Sequence, residues 1–287
     1  MTPRPIASSR RREPRLDVLS IALAPLGIVV VLLAQYLDGS PLGALIQGSS
    51  ALVVGGGTLA AILVSFTPTE VARAVRAAGA AFRTPDDDID RLAAQMVTLS
   101  VRAHRKGLPA LEPDIDDIED PFLRDGLALV VDGTSATILG EMLAVERESR
   151  EAEEDVPARI FEAAAGYAPT MGILGAVLGL MRVMEHLAAP GVLGGGIALA
   201  FVATVYGVGS ANLVLLPIAG RLRERSVLQA RRRELITQGL QAMQQRLNPR
   251  LLAHKLRAFS DRVPRIDELS ATLPAQGRPI RSPRIPA

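Results

Sequence analysis

Residues 167–222 read YAPTMGILGAVLGLMRVMEHLAAPGVLGGGIALAFVATVYGVGSANLVLLPIAGRL, and this stretch decides how the chain folds. Two apolar runs, 167–187 and 193–218, flank a short Pro/Gly turn. Each is long enough to cross a bilayer, which takes about 20 apolar residues, so the pair reads as an antiparallel membrane hairpin. Pro169 lies near the start of the first run and Pro217 near the end of the second. A proline inside a helix removes a backbone donor and crowds the preceding turn. In a membrane that defect persists only where hydroxyls, neighbours or water satisfy the freed groups. Thr170, Thr204, Tyr206 and Ser210 supply hydroxyls within the runs. Small residues recur four apart, at Gly172 and Ala176, Gly175 and Gly179, and Ala203 and Gly207, a spacing that lets membrane helices approach closely. Kinks and a packing face would explain these features in an inert anchor. Two prolines at mirrored depths, near one membrane face, point instead to an element that moves.

Composition places the hairpin in a larger membrane protein. The chain has 287 residues, of which 48% are hydrophobic and 22% charged. Both fractions fit one chain only if the charges are segregated from the apolar blocks. Net charge is +2, yet the pI is about 9.4, because the basic residues are arginines apart from Lys106 and Lys255. Those arginines cluster beside apolar runs, which points to membrane topology and not to nucleic acid. Cysteine and tryptophan are absent. The lack of cysteine excludes disulfides, thiolate nucleophiles and zinc fingers. Without tryptophan, Tyr36, Phe66, Tyr167 and arginines are left to form the interfacial belts.

Outward from the hairpin, two more spans are expected. The first runs over 16–37 and contains Pro25 and Gly27. The second runs over 43–66 and contains Gln47, Ser49, Ser50 and the GGGT of residues 55–58. That glycine run lacks the Lys-Ser/Thr ending of a phosphate loop and is expected to serve close helix packing. Arginines lie in the N-terminal tail, at Arg73, Arg76 and Arg83 after the second span, and at Arg221, Arg223, Arg225 and 231–233 after the fourth. The turns 38–42 and 188–192 contain no Lys or Arg. The positive-inside rule then places both termini and the middle segment in the cytosol. The fold class is all-α, an integral membrane protein with four transmembrane helices and a helical cytoplasmic domain. The expected division is 1–15 basic tail, 16–66 first hairpin, 67–162 cytoplasmic domain, 163–218 second hairpin, 219–262 C-terminal cytoplasmic helix and 263–287 disordered tail.

Within the middle segment, Thr84, Pro85 and the acids 86–88 predict a helix start. A helix over 90–106 should end at Gly107. EPDIDDIEDP at 112–121 is acidic, and Pro121 is expected to open one long helix running through 141–154, polar enough to be a solvated bridge. An amphipathic helix is expected over 222–247.

The segments PTMGILGAVLGL and GGGIALAFVATVYGVGSANLVLLP resemble the third and fourth spans of the MotA/PomA family, the A subunits of the flagellar motor stator. The resemblance extends over about 16–259. HRKGLPALE, residues 104–112, is similar to the family's cytoplasmic loop, with His104 and Arg105 departing from its usual pattern. The resemblance implies a bacterial inner-membrane protein with both termini cytoplasmic, five A chains around two B chains, and an essential aspartate on the B subunit's span. It implies that Pro169 and Pro217 couple ion passage to movement and that Thr204 lines the path. It further implies that Arg105, Lys106 and Glu112 contact the rotor's switch protein. Thr170 and Ala176 complete the candidate ion-path positions. Sodium-type members have threonine where Ala176 stands. A bare sodium ion needs several oxygen ligands, so protons are favoured and sodium is the alternative.

The residues also argue for a partner. No Asp or Glu lies deep in any expected span, whereas Arg182, Glu185 and His186 sit near an outer end. A membrane ion path normally needs an ionisable group inside it, so a second subunit must bring one if ions pass. An ExbB/TolQ-like energiser would share that logic, but with three spans and the N-terminus outside. An enzyme is not expected. His104, His186 and His254 are scattered, no metal-binding or nucleophile motif is present, and no cofactor is implied.

Overall fold

Thr67-Pro68-Thr69-Glu70 shows how this sequence starts a helix. Glu70 Oε2 accepts from the Thr67 backbone N–H at 2.8 Å and from its hydroxyl at 2.7 Å, while Thr67 Oγ1 accepts from Glu70 N–H at 3.3 Å. This reciprocal capping box satisfies two end donors, and Pro68 fits the first turn because its missing N–H is not needed there. The Thr67 hydrogen bonds, helped by Arg73 and Arg159, hold the Glu70 carboxyl below the usual carboxylate range.

The computed structural model describes residues 26–37, 42–81, 89–186 and 190–260, and every regular element among them is helical. The longer ones in order are α1 (Leu26–Leu37), α2 (Gly48–Ser65), α3 (Pro68–Ala81), α4 (Ile89–Lys106), α5 (Pro121–Val131), α6 (Ala136–Glu185), α7 (Pro190–Ser210), α8 (Leu216–Gln244) and α9 (Pro249–Leu256). Among the described residues, three helices are long and apolar enough to cross a membrane: Gly48–Ser65, Ala136–Glu185 and Leu193–Gln244. Of the expected first span only Leu26–Leu37 is described. The tails 1–15 and 263–287, residues 16–25, Arg83, the helix start at 84–88 and parts of both turns lie outside the described residues.

The helices form two units. One is drawn from Met1–Asp86 and Glu154–Arg225, the other from Asp87–Glu153 and Ser226–Ala287. In the first, α2 packs on α7, and Ile62, Ala74, Ile160 and Ala164 form a small cluster with Phe66 and Tyr167 against it. Large apolar side chains stay outside, with Val64 90% and Phe201 72% exposed. Apolar surface on that scale marks a membrane or a partner. The second unit has an aqueous-type core. Met96, Leu99, Leu111, Leu123, Leu127, Leu139, Leu143, Leu235, Ile236, Leu240, Leu252 and Leu256 are fully buried, each contributing roughly 1.5–3 kcal/mol.

Three sequence readings are corrected. The expected single helix from Pro121 through 154 is two. Gly133 adopts φ +80°, and the Thr134 N–H returns to Leu129 O at 3.1 Å, a left-handed stop that glycine makes without strain. Gln244 then donates to Thr134 O at 2.5 Å, holding the break. The glycines 55–57 do not all serve packing within the chain. A Cβ on Gly55 would meet nothing within 4 Å and one on Gly56 only its own helix's Leu52, whereas one on Gly57 would lie 2.8 Å from Met171 Sδ. The third correction concerns the helix expected from residue 222. It begins at Leu216, directly after a π-turn, and ends at Gln244.

Candidate functional site

The second apolar hairpin is held by backbone contact. A Cβ on Gly172 would stand 2.9 Å from Ala203 O and 3.3 Å from Gly207 Cα. One on Gly179 would stand 2.7 Å from both Ala200 N and Gly196 O, and one on Gly207 would stand 2.6 Å from Ala168 O. The small residues of α6 and α7 therefore let the two main chains touch along a seam, the arrangement expected where lipid offers no hydrophobic drive for association. Ala168 and Ala203 are buried in it.

The expected site residues distribute around this seam. Thr204 follows Ala203 on α7, and its Cα lies 3.4 Å from where a Gly172 Cβ would stand. Its side chain is exposed, with Oγ1 donating to Ala200 O at 3.1 Å. Ala176 is half-buried, one turn beyond Gly172 and on the same side of α6. Thr170 sits elsewhere. Two residues from Gly172, at about 100° per residue, it points to the far side of α6, where it is exposed and donates to Tyr167 O at 2.7 Å. The structure thus sets Thr204 and Ala176 on the two sides of one seam and leaves Thr170 apart. Arg182, Glu185 and His186 are exposed near the α6 end, and His186 Nδ1 lies 2.9 Å from Arg182 O.

The two expected prolines sit differently, Pro169 inside an unbroken helix and Pro217 just after a π-turn. Pro169 lies within α6, with its Cα 3.1 Å from where a Gly207 Cβ would stand. Pro217 is the second residue of α8 and follows the π-turn Ala211–Leu215, where the Leu216 N–H reaches back five residues to Ala211 O. The wider turn lodges a residue that has no N–H and would crowd the carbonyl four back. A third proline, the buried Pro157, also lies within α6. Sequence reading missed it because polar residues surround it and no apolar run draws attention to it.

Span contacts unforeseen in the sequence link α2 to α7. Tyr206 Oη donates to Leu45 O at 2.5 Å and accepts from Gln47 N–H at 3.3 Å. Ser50, wholly buried, donates to Leu199 O at 3.3 Å. Tyr206 therefore caps the start of α2, whose N-cap residue Gln47 makes no side-chain cap of its own. A second π-turn, Leu52–Gly56, interrupts α2. Just after it the buried Thr58 hydroxyl has no partner.

In the other unit, Arg105, Lys106 and Glu112 are all exposed on one turn. Gly107, at φ +86°, ends α4 in a conformation that strains other residues. A 3-10 turn, Leu108–Leu111, buries Leu111. Arg102 on α4 then binds both Asp114 carboxylate oxygens at 2.5 Å, and Asp114 is only 4% exposed. A short loop is thus clamped back onto its own helix, with charges left outward. The clamp was legible only as two opposite charges bracketing GLPALE. Asp120 plays a similar part, capping α5 through Phe122 and Leu123 N–H and accepting from Arg232 Nε at 2.8 Å. No group of residues suited to a metal ion occurs among the described residues.

Comparison with known proteins adds to this geometry. A model of the MotA/TolQ/ExbB proton channel family matches residues 114–235. Motility protein A of Bacillus subtilis (strain 168) is 31% identical over 242 residues, 84% of this chain and 90% of the relative. Chemotaxis protein PomA of Vibrio alginolyticus is 30% identical, over 81% of this chain and 91% of the relative. Among solved structures, C. jejuni MotAB superposes with a TM-score of 0.78 at 27% identity, covering 85% of this chain and 95% of the other. The flagellar MotAB stator complex from Bacillus subtilis gives 0.73 at 29% identity, covering 90% and 100%.

Proposed function

We propose that this chain, which belongs to the MotA/TolQ/ExbB proton channel family and is a stator subunit of the bacterial flagellar motor, supplies the acid-free half of an ion path. It is a membrane-embedded protein and its partner is a MotB-like B subunit. The B subunit brings the aspartate on its single span, and five copies of this chain surround two copies of B in the inner membrane with both termini in the cytosol. Ions pass where A meets B, along a path that includes Thr204. The charge on the aspartate changes the A–B contact, the A ring turns, and Arg105, Lys106 and Glu112 push the rotor's switch protein. The role is conduction and force, with no covalent chemistry.

The seam is the observation that carries this reading. It brings Thr204 beside a bare backbone contact and sets Pro169 against Gly207. On this reading a hydroxyl at the path and a proline at the joint share one structure, and their closeness supports a coupling between them. Ala176 offers no side-chain oxygen on this seam, and a desolvated sodium ion must replace its hydration shell with oxygens. Protons need no such cage. The test is swimming in cells driven by this chain and its B partner. Speed should persist when sodium is replaced by potassium and vanish when the proton gradient is collapsed. The converse would establish sodium. Normal swimming after deletion of the gene would reject the stator role.

A further inference from the structure

Between α2 and α6, an apolar groove of about 500 Å³ is lined by Gly57, Ala60, Ala61, Val64, Tyr167 and Met171, with Ser65 at one end. Its floor is Met171, whose sulfur lies where a Cβ on Gly57 would need room. At the polar end the Ser65 and Tyr167 hydroxyls pair at 3.2 Å, just where α2 stops at Phe66 and the capping box begins. Beyond that end the surface becomes basic. Ala74 of α3 and Ile160 of α6 belong to one buried cluster, so their neighbours Arg73 and Arg159 lie at its edge. Both guanidiniums are exposed and act on Glu70. Arg76, one turn beyond Arg73, is exposed as well and spends its Nε on Ala72 O at 3.3 Å. Glu70, already engaged by Thr67, offsets one of these charges and leaves the patch positive.

The order along this face is apolar channel, hydroxyl pair, then arginines, and it matches a phospholipid from acyl chain to glycerol to phosphate. We propose that the groove holds one acyl chain of an anionic phospholipid, whose headgroup rests on Arg73 and Arg159. A neutral lipid would fill the channel equally well, so the arginines set the preference, each basic residue near a membrane surface contributing attraction to anionic headgroups. The site rests on the membrane-embedded reading alone, not on ion flow or torque.

The test uses the complex of this chain with its B subunit, reconstituted in mixed phosphatidylglycerol and phosphatidylcholine and then purified in detergent for lipid analysis. Retained phosphatidylglycerol should exceed its share of the mixture. The double substitution R73Q/R159Q should cut that enrichment on the order of tenfold, and A60F, which fills the channel and leaves the arginines intact, should lower retention of both lipids. Equal retention of the two lipids by the unsubstituted complex would overturn the proposal, as would enrichment unchanged by either variant. The chain has no cysteine, so A60C adds a single thiol. Oxidative cross-linking of A60C between two copies of this chain in membranes would mean that a neighbouring copy covers the groove, which also overturns the proposal. A complex that keeps its lipid preference but drives no swimming would count against the stator reading and leave the lipid site standing.

Discussion

At the scale of single residues, the seam rests on positions that tolerate no added atom. Gly207→Ala would place a methyl carbon 2.6 Å from Ala168 O, a backbone atom that cannot turn aside. The helices must separate or shift, at about 1–3 kcal/mol as for overpacking elsewhere. Thermal unfolding of the purified complex should fall measurably, and swimming should be lost before membrane insertion is. Gly209 is the control on the same helix, since a Cβ there meets nothing within 4 Å and Gly209→Ala should leave both unchanged. Tyr206 makes a different kind of contact. Tyr206→Phe keeps the ring and removes both hydrogen bonds, leaving the Gln47 N–H uncapped, at about 1–3 kcal/mol for groups stranded away from water. Hydrogen exchange at residues 47–50 should speed up while the seam residues keep their protection. Unchanged exchange there would show that the cap is not needed. The sequence announced the glycines by their spacing and Tyr206 only as a hydroxyl, because its partners lie about 160 positions away and no local pattern encodes them.

At the scale of elements, the turn after α4 depends on one buried ion pair. Arg102→Ala leaves Asp114 charged and buried without its partner, which costs about 3–5 kcal/mol. Arg105→Ala removes an exposed charge and should cost less than about 0.5 kcal/mol. If the turn meets the rotor, both variants should weaken swimming, but only Arg102→Ala should also lower the unfolding midpoint. Equal stability of the two would show that the clamp carries no weight. Local signals served well for elements. Gly107 ended α4 as expected, Pro121 opened α5, and the apolar runs gave the long helices. Where a reading failed, a competing term won. Gly133 broke a helix that apolar periodicity continued, since a left-handed stop outweighs a favourable pattern. Gly55 and Gly56, which suggested a contact, meet no other helix of the same chain.

At the scale of the molecule, the apolar runs and the arginines beside them gave the membrane character and the all-α class directly, with three of the four expected spans matched among the described residues, because burying or exposing whole blocks is a matter of composition. The candidate site was less legible. The family resemblance pointed to Thr204, Ala176, Pro169 and Pro217, and the structure then placed Thr204 and Ala176 at one seam. Spacing alone would not have separated Thr170 from them without knowing which side of α6 meets α7. Topology remains a prediction of charge placement. A cysteine replacing Arg105 should react with a membrane-impermeant thiol reagent only after cells are permeabilised, whereas one replacing His186 should react in intact cells. The reverse pattern would invert the protein in the membrane and place the proposed rotor contact outside the cell.

The bare contact between α6 and α7 has a mechanical corollary. Helices separated by side chains can roll on them as on bearings, whereas two ribbons pressed main chain to main chain have nothing between them to turn. The hairpin should therefore travel as one stiff plank, giving only where the hydrogen-bond ladder has slipped or lost a rung, at residues 211–215 and at Pro169.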